Sequence, residues 1–132
     1  MKPTITLAAA LAAGIAMGSL AATGLGARDP DPGAYAVIDV GRISDHDGVM
    51  RDLMPLAGPA IQSGGGRLLT VTERITSLDG TPAPPRFVVI AFADAATAVA
   101  WYASPAWQAA DAMRRKYTQS RVSVADAEGS PK

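Results

Sequence analysis

Apolar positions fall into two rhythms along this chain, and the switches between them outline its elements. Ala34-Tyr35-Ala36-Val37-Ile38-Asp39-Val40 has the β-branched and aromatic content of a strand, ended by Gly41. Ser44 is then a good helix N-cap, Asp45 and Asp47 fall in the first turn, and Val49, Met50, Leu53, Leu56, Ala60 and Ile61 recur at helical spacing. Pro55 and Pro59 make that helix irregular, because an internal proline removes a donor and clashes with the preceding turn. Gly64-Gly65-Gly66 ends it, and Arg67 to Thr76, rich in Leu, Val, Thr and Ile, predicts a second strand. No Lys-Ser/Thr follows the glycines and they precede a strand, so they read as a turn rather than a phosphate loop. A proline-rich connection leads to Arg86-Phe87-Val88-Val89-Ile90-Ala91-Phe92, a central strand. Asp94 caps a helix carrying Ala98, Val99, Trp101 and Tyr102, and Ser104-Pro105 supplies a second N-cap for a helical piece running to about Tyr117. Between Ser120 and Ala125, Val122 and Val124 alternate with polar neighbours as a short last strand.

The order strand, helix, strand, strand, helix, strand predicts an α+β class: a ferredoxin-like βαββαβ antiparallel sheet whose right-handed crossovers put the helices on one face. In the first and third strands both alternate sets are largely apolar, Val37 against Ile38, and Phe87 and Val89 against Val88 and Ile90. The face without helices therefore exposes an apolar patch that needs a cover. The simplest cover is the same face of a second copy, giving a homodimer in which two sheets form a barrel-like shell.

Ahead of the domain, Met1-Lys2 gives a positive start, Ile5 to Ala22 is mostly apolar, and small residues lead to Arg28-Asp29-Pro30-Asp31-Pro32. This is the layout of an export signal, with a retained membrane anchor as its alternative. The organisation read from the chain is a signal peptide or N-terminal anchor over residues 1–27, a linker over 28–33 and the domain over 34–129. The protein is expected outside the cytoplasm, periplasmic or secreted, and in contact with membrane only if the first segment is retained.

Charge and composition narrow the chemistry. Twelve basic residues balance twelve acidic ones, and Arg114-Arg115-Lys116 is a helix-closing run, so nucleic acid is not an expected partner. With no cysteine and one histidine, thiolate chemistry and multi-histidine metal sites are excluded, and no metal or other cofactor is expected.

Ala98-x-x-Trp101-Tyr102-x-Ser104-Pro105-x-Trp107-Gln108, followed by Arg114, resembles the second-helix signature of the family known as domain of unknown function 1330. Gly65-Gly66-Arg67 entering the second strand resembles that family's other landmark. The resemblance spans roughly Ala34 to Gly129 and implies a ferredoxin-like fold in the dimeric α+β barrel superfamily. It also offers an alternative function, since that superfamily includes cofactor-independent monooxygenases and related isomerases. The chain departs from the family's pattern in having Trp107 in place of a tyrosine, Val71-Thr72-Glu73 in place of Arg-Gly-Gly, and His46 where relatives commonly carry proline.

Six side chains are candidates for ligand contact. Asp39 shares a strand face with Tyr35 and Val37, where a carboxylate facing a dimer shell would be partly desolvated and suited to act as a base; an ion pair with Arg67 or Arg86 is the competing role. Asp39 with Arg67 is the polar pair favoured by this reading. Trp101, Tyr102 and Trp107 are three of seven aromatics within seven residues, suited to a pocket wall or to the core. Arg114 lies seven residues beyond Trp107, on the same helix side, where it can bind a carboxylate or pair with Asp111. His46 reads as a solvated surface residue. The leading expectation is a small organic ligand held between helix and sheet, and a purely structural or protein-interaction module is a further alternative.

Overall fold

The computed structural model describes residues 31–127. The segment expected to direct export, the start of the expected linker and the polar tail lie outside the described residues. The strands are β1 (Ala34–Ile43), β2 (Arg67–Thr72), β3 (Arg86–Phe92) and β4 (Thr118–Asp126). They form one antiparallel sheet in the order β2-β3-β1-β4, the arrangement expected of the ferredoxin-like pattern.

Register settles which side chain faces which way, because directly opposed residues share a sheet face. Ala36, Ile38 and Val40 of β1 stand opposite Ile90, Val88 and Arg86 of β3, and opposite Val124, Val122 and Ser120 of β4. The apolar members of this set pack with the helices into the core. Tyr35, Val37 and Asp39 stand opposite Ala91, Val89 and Phe87, and none of these six belongs to that core. The open face is thus apolar at its centre, as expected, with Asp39 near one end.

The first helical stretch departs most from expectation. Asp45, not Ser44, is its N-cap, its carboxylate accepting the Gly48 N–H at 2.9 Å. Ser44 instead donates from its hydroxyl and its N–H to the Tyr117 carbonyl at 3.1 and 2.8 Å, tying this turn to the end of the last helix. A short α1 (His46–Gly48) runs into a π-helical turn (Val49–Leu53) and then α2 (Met54–Ser63). The widening falls directly ahead of Pro55, whose ring would collide with the carbonyl four residues earlier in a regular helix, and the Met54 N–H reaches back five residues to the Val49 carbonyl. The inward face is spaced accordingly: Val49, Leu53, Ala60 and Ile61 are buried, whereas Met50 and Leu56 are exposed.

Gly65 adopts φ +84° in the turn after α2, a conformation that favours glycine. Asp94 caps α3 (Ala95–Ala103) by accepting the Thr97 N–H and hydroxyl, both at 2.7 Å. Ser104 joins α3 to α4 (Pro105–Tyr117): its hydroxyl donates to the Trp101 carbonyl at 2.7 Å and accepts the Trp107 N–H at 3.2 Å. One side chain therefore ends one helix and starts the next. Between the two helices Trp101 and Trp107 lie at a 4.4 Å centroid distance, with Phe92 of β3 against Trp101 at 5.2 Å. Both indoles are 1% exposed, and neither indole N–H has an acceptor.

Three carboxylates bind their protons more weakly in this fold than usual. Arg51 and Tyr117 hydrogen-bond Asp52, and the Thr97 hydroxyl and N–H hold Asp94. Burial pushes Asp111 up, but the guanidinium groups of Arg114 and Arg115 outweigh it and hold Asp111 below the ordinary value. All three contribute stability that is complete above the unfolded-state value near pH 4 and is lost as pH falls through the lower folded-state values. The melting temperature is expected to drop as pH is lowered below about 4. Thermal melts followed by circular dichroism check this, and a melting temperature unchanged down to about pH 2 would exclude it.

Candidate functional site

On the helix face of the sheet, a cavity of about 110 Å³ lies between the helical stretch that includes the π turn and the strands. The π turn contributes Val49 and Leu53, α2 contributes Met54 and Ile61, and β1 contributes Ile38 and Val40. Gly58 and Leu68, both exposed, are also lining residues, so the cavity reaches the surface between α2 and β2. An open groove beyond it shares Gly58, Ile61 and Leu68 and includes Arg67. The wall is almost wholly apolar, and Arg86, Arg114 and Thr118 are among the residues that line it.

Both arginines are buried, and each is held by a carboxylate. Arg86 donates from Nη1 to Glu73 Oε2 at 2.7 Å and from Nη2 to Met54 Sδ at 3.7 Å. The same Glu73 oxygen lies 3.2 Å from His46 Nε2. Arg114 donates from Nε to Asp111 Oδ1 at 2.6 Å and from Nη1 to the Ser120 hydroxyl at 2.6 Å. The other Asp111 oxygen accepts from Arg115 Nε at 2.7 Å. Each buried charge is thus held in place by a carboxylate partner.

The six sequence candidates separate. Trp107 and Arg114 line the cavity together. Trp101 is a core residue stacked behind Trp107 and is not part of the cavity wall. Tyr102 borders a shallow polar groove with Arg115 and Gln119, and its hydroxyl accepts from Arg115 Nη2 at 3.1 Å. Asp39 lies on the open face, but neither favoured partner reaches it: Arg121 of β4, directly opposite, donates to its carboxylate at 3.1 Å. Arg67 stands opposite Ala91, two strands from Asp39 and near the other end of the sheet, so strand register rules out that pair within the chain. Arg86 is committed to Glu73 on the opposite face.

Sequence reasoning missed Arg86 as a cavity residue and Glu73 as its partner. The register holds the signal, since Thr72 pairs with Phe87 and the next residue on each strand is Glu73 and Arg86. Glu73 brings His46 and Arg86 together at the end of the sheet. Among the described residues, no group of acidic, histidine or cysteine side chains could hold a metal ion.

A four-stranded antiparallel sheet in this order, with helices over one face and a cavity beneath them, defines an α+β domain of the ferredoxin-like type. The chain belongs to the family described as Domain of unknown function (DUF1330), whose model matches residues 33–127. A protein of unknown function from Rhodopseudomonas palustris is similar in structure. Its methylated form aligns with a TM-score of 0.57 at 16% identity, covering 79% of this chain and 87% of that one. Its other crystal structure aligns at 0.54 and 15% identity, over 74% and 84%. SnoaB, a cofactor-independent oxygenase from Streptomyces nogalater, aligns at 0.48 and 15% identity, over 74% of this chain and 95% of that one. No curated protein matches the sequence.

Proposed function

We propose that the chain acts as an exported homodimer that binds a small organic molecule in the cavity between helix and sheet, without metal or nucleotide. The observation that carries the ligand reading is the cavity itself, apolar along its length and open at one side, with Arg86 and Arg114 among its lining residues. Ligand sites commonly combine an apolar wall with a few placed polar groups. Pairing of copies is supported by the open sheet face, where Tyr35, Val37, Phe87 and Val89 remain half-buried with no helix over them. Export is supported by the charge, apolar and small-residue pattern of residues 1–27.

Native mass spectrometry of the protein recovered from the producing cell tests the three parts together. The expected result is a dimer of subunits that begin between about Ala22 and Arg28, carrying a co-purified small molecule released on unfolding. A full-length soluble chain in the cytoplasm would overturn export. A monomer at micromolar concentration would overturn the dimer. Failure of any small organic molecule to bind the purified protein would overturn the ligand reading.

A further inference from the structure

We infer that the cavity takes a compact, neutral, hydrocarbon-like guest, admitted past Gly58 between α2 and β2; this rests on the cavity being a ligand site, as proposed above. The wall decides the chemistry. Val49, Leu53 and Ile61 on the helical side face Ile38, Val88 and Val71, which form one apolar row across β1, β3 and β2. The polar residues on the wall are committed to protein partners. Arg86 is held by Glu73, Arg114 by Asp111 and Ser120, and the Thr118 hydroxyl donates to the Arg114 carbonyl at 2.7 Å. Trp107 offers ring carbon, because its indole nitrogen is sealed from any accessible surface. A charged or strongly polar guest would leave its hydration behind and find little in the wall to replace it. A water molecule needs about two to four polar partners to settle in such a place, and a hydrocarbon needs none.

Size narrows the guest further. An apolar cavity of about 150 Å³ admits benzene. At about 110 Å³ this one matches a guest of about four or five heavy atoms. A longer molecule has to extend past Gly58 and Leu68 into the groove beyond, beside Gln62.

The entrance is marked by a glycine that packing does not call for. Gly58 lies inside α2 and borders both the cavity and the open groove. Its φ is not positive, and a Cβ built on it would meet no atom within 4 Å. Glycine within a helix lowers stability relative to alanine, and a cavity in a core lowers it too. Both costs fall at one place, where the missing side chain keeps a passage open between α2 and Leu68.

Methyl-resolved NMR of the mature protein at neutral pH, titrated with furan and thiophene beside pyrazole, a neutral polar ring of the same size, tests the inference. Furan and thiophene are expected to shift the methyl signals of Ile38, Val49, Leu53 and Val88. They should bind about 10–100-fold more tightly than pyrazole, the range for burying polar groups without partners. Gly58→Phe should abolish the furan shifts and Gly58→Ala should keep them, with melting temperatures at or above wild type in both variants. Pyrazole binding as tightly as furan would overturn the hydrocarbon assignment and leave the ligand site standing. Furan shifts that survive Gly58→Phe would overturn the entrance. If no ring moves these methyls while the protein carries a co-purified molecule, the hydrocarbon assignment fails alone; if none binds and none co-purifies, both readings fail.

Discussion

Val89→Asp is expected to split the proposed dimer into folded monomers, whereas Val88→Asp should unfold the domain. The two residues are neighbours on β3 but point to opposite sides of the sheet. Val89 stands opposite Val37 on the open face, and Val88 stands opposite Ile38 in the row that lines the cavity. A specific interface typically buries about 800 Å² per partner with an apolar centre. An unpaired carboxylate placed there, or in the core, costs several kcal/mol. Light scattering paired with circular dichroism separates the outcomes. A Val89→Asp protein that remains dimeric would show that the copies meet elsewhere, and a folded Val88→Asp protein would contradict the assignment of faces.

Trp101→Ala is the second large effect, a loss of about 3–5 kcal/mol in stability, as deletion of a large buried aromatic generally gives. The ring touches Phe92 and Trp107, and Gly64 approaches it so closely that a Cβ there would sit 2.6 Å from an atom of the indole. Truncation therefore opens a void that α3, pinned by Asp94 and Ser104 at its two ends, cannot easily close. For a domain of this length the melting temperature should fall on the order of 20 °C. Urea unfolding gives the free energy directly, and an unchanged midpoint would mean that the indole is not part of the packed core.

Where local chemistry decides an element, the residues announce it. The third strand begins and ends at Arg86 and Phe92 as its apolar run suggests, and Asp94 and Ser104 cap the helices expected of them. Where a neighbour decides, the sequence misleads. The second strand stops at Thr72 because the Thr72 hydroxyl accepts the Arg74 N–H at 3.0 Å and turns the chain, although β-branched residues continue to Thr76. The first strand continues past Gly41 to Ile43 by means of a bulge between Val40 and Arg42. In the first helix a regular turn of about 3.6 residues brings Leu56 inward after Val49 and Leu53. The π turn delays the phase, so Leu56 swings out and Ala57 packs against the core instead. Half of the site follows the same division. Trp107 and Arg114 are legible as one helix side, but Arg86 and Glu73 become a pair only once two strands are in register.

The outer edge of the sheet at β2 bears on how copies of this chain can associate. Its strand is six residues long, and its ladder to β3 is broken between Leu68 and Thr70. A short, kinked edge is a poor template for a strand from another molecule. Edge addition also has no natural end, because each added chain presents a fresh edge, whereas a two-fold contact through a face is complete at two. The bulge at Leu69 therefore acts against open-ended ribbons, even though it leaves Leu68 and Leu69 exposed on the rim.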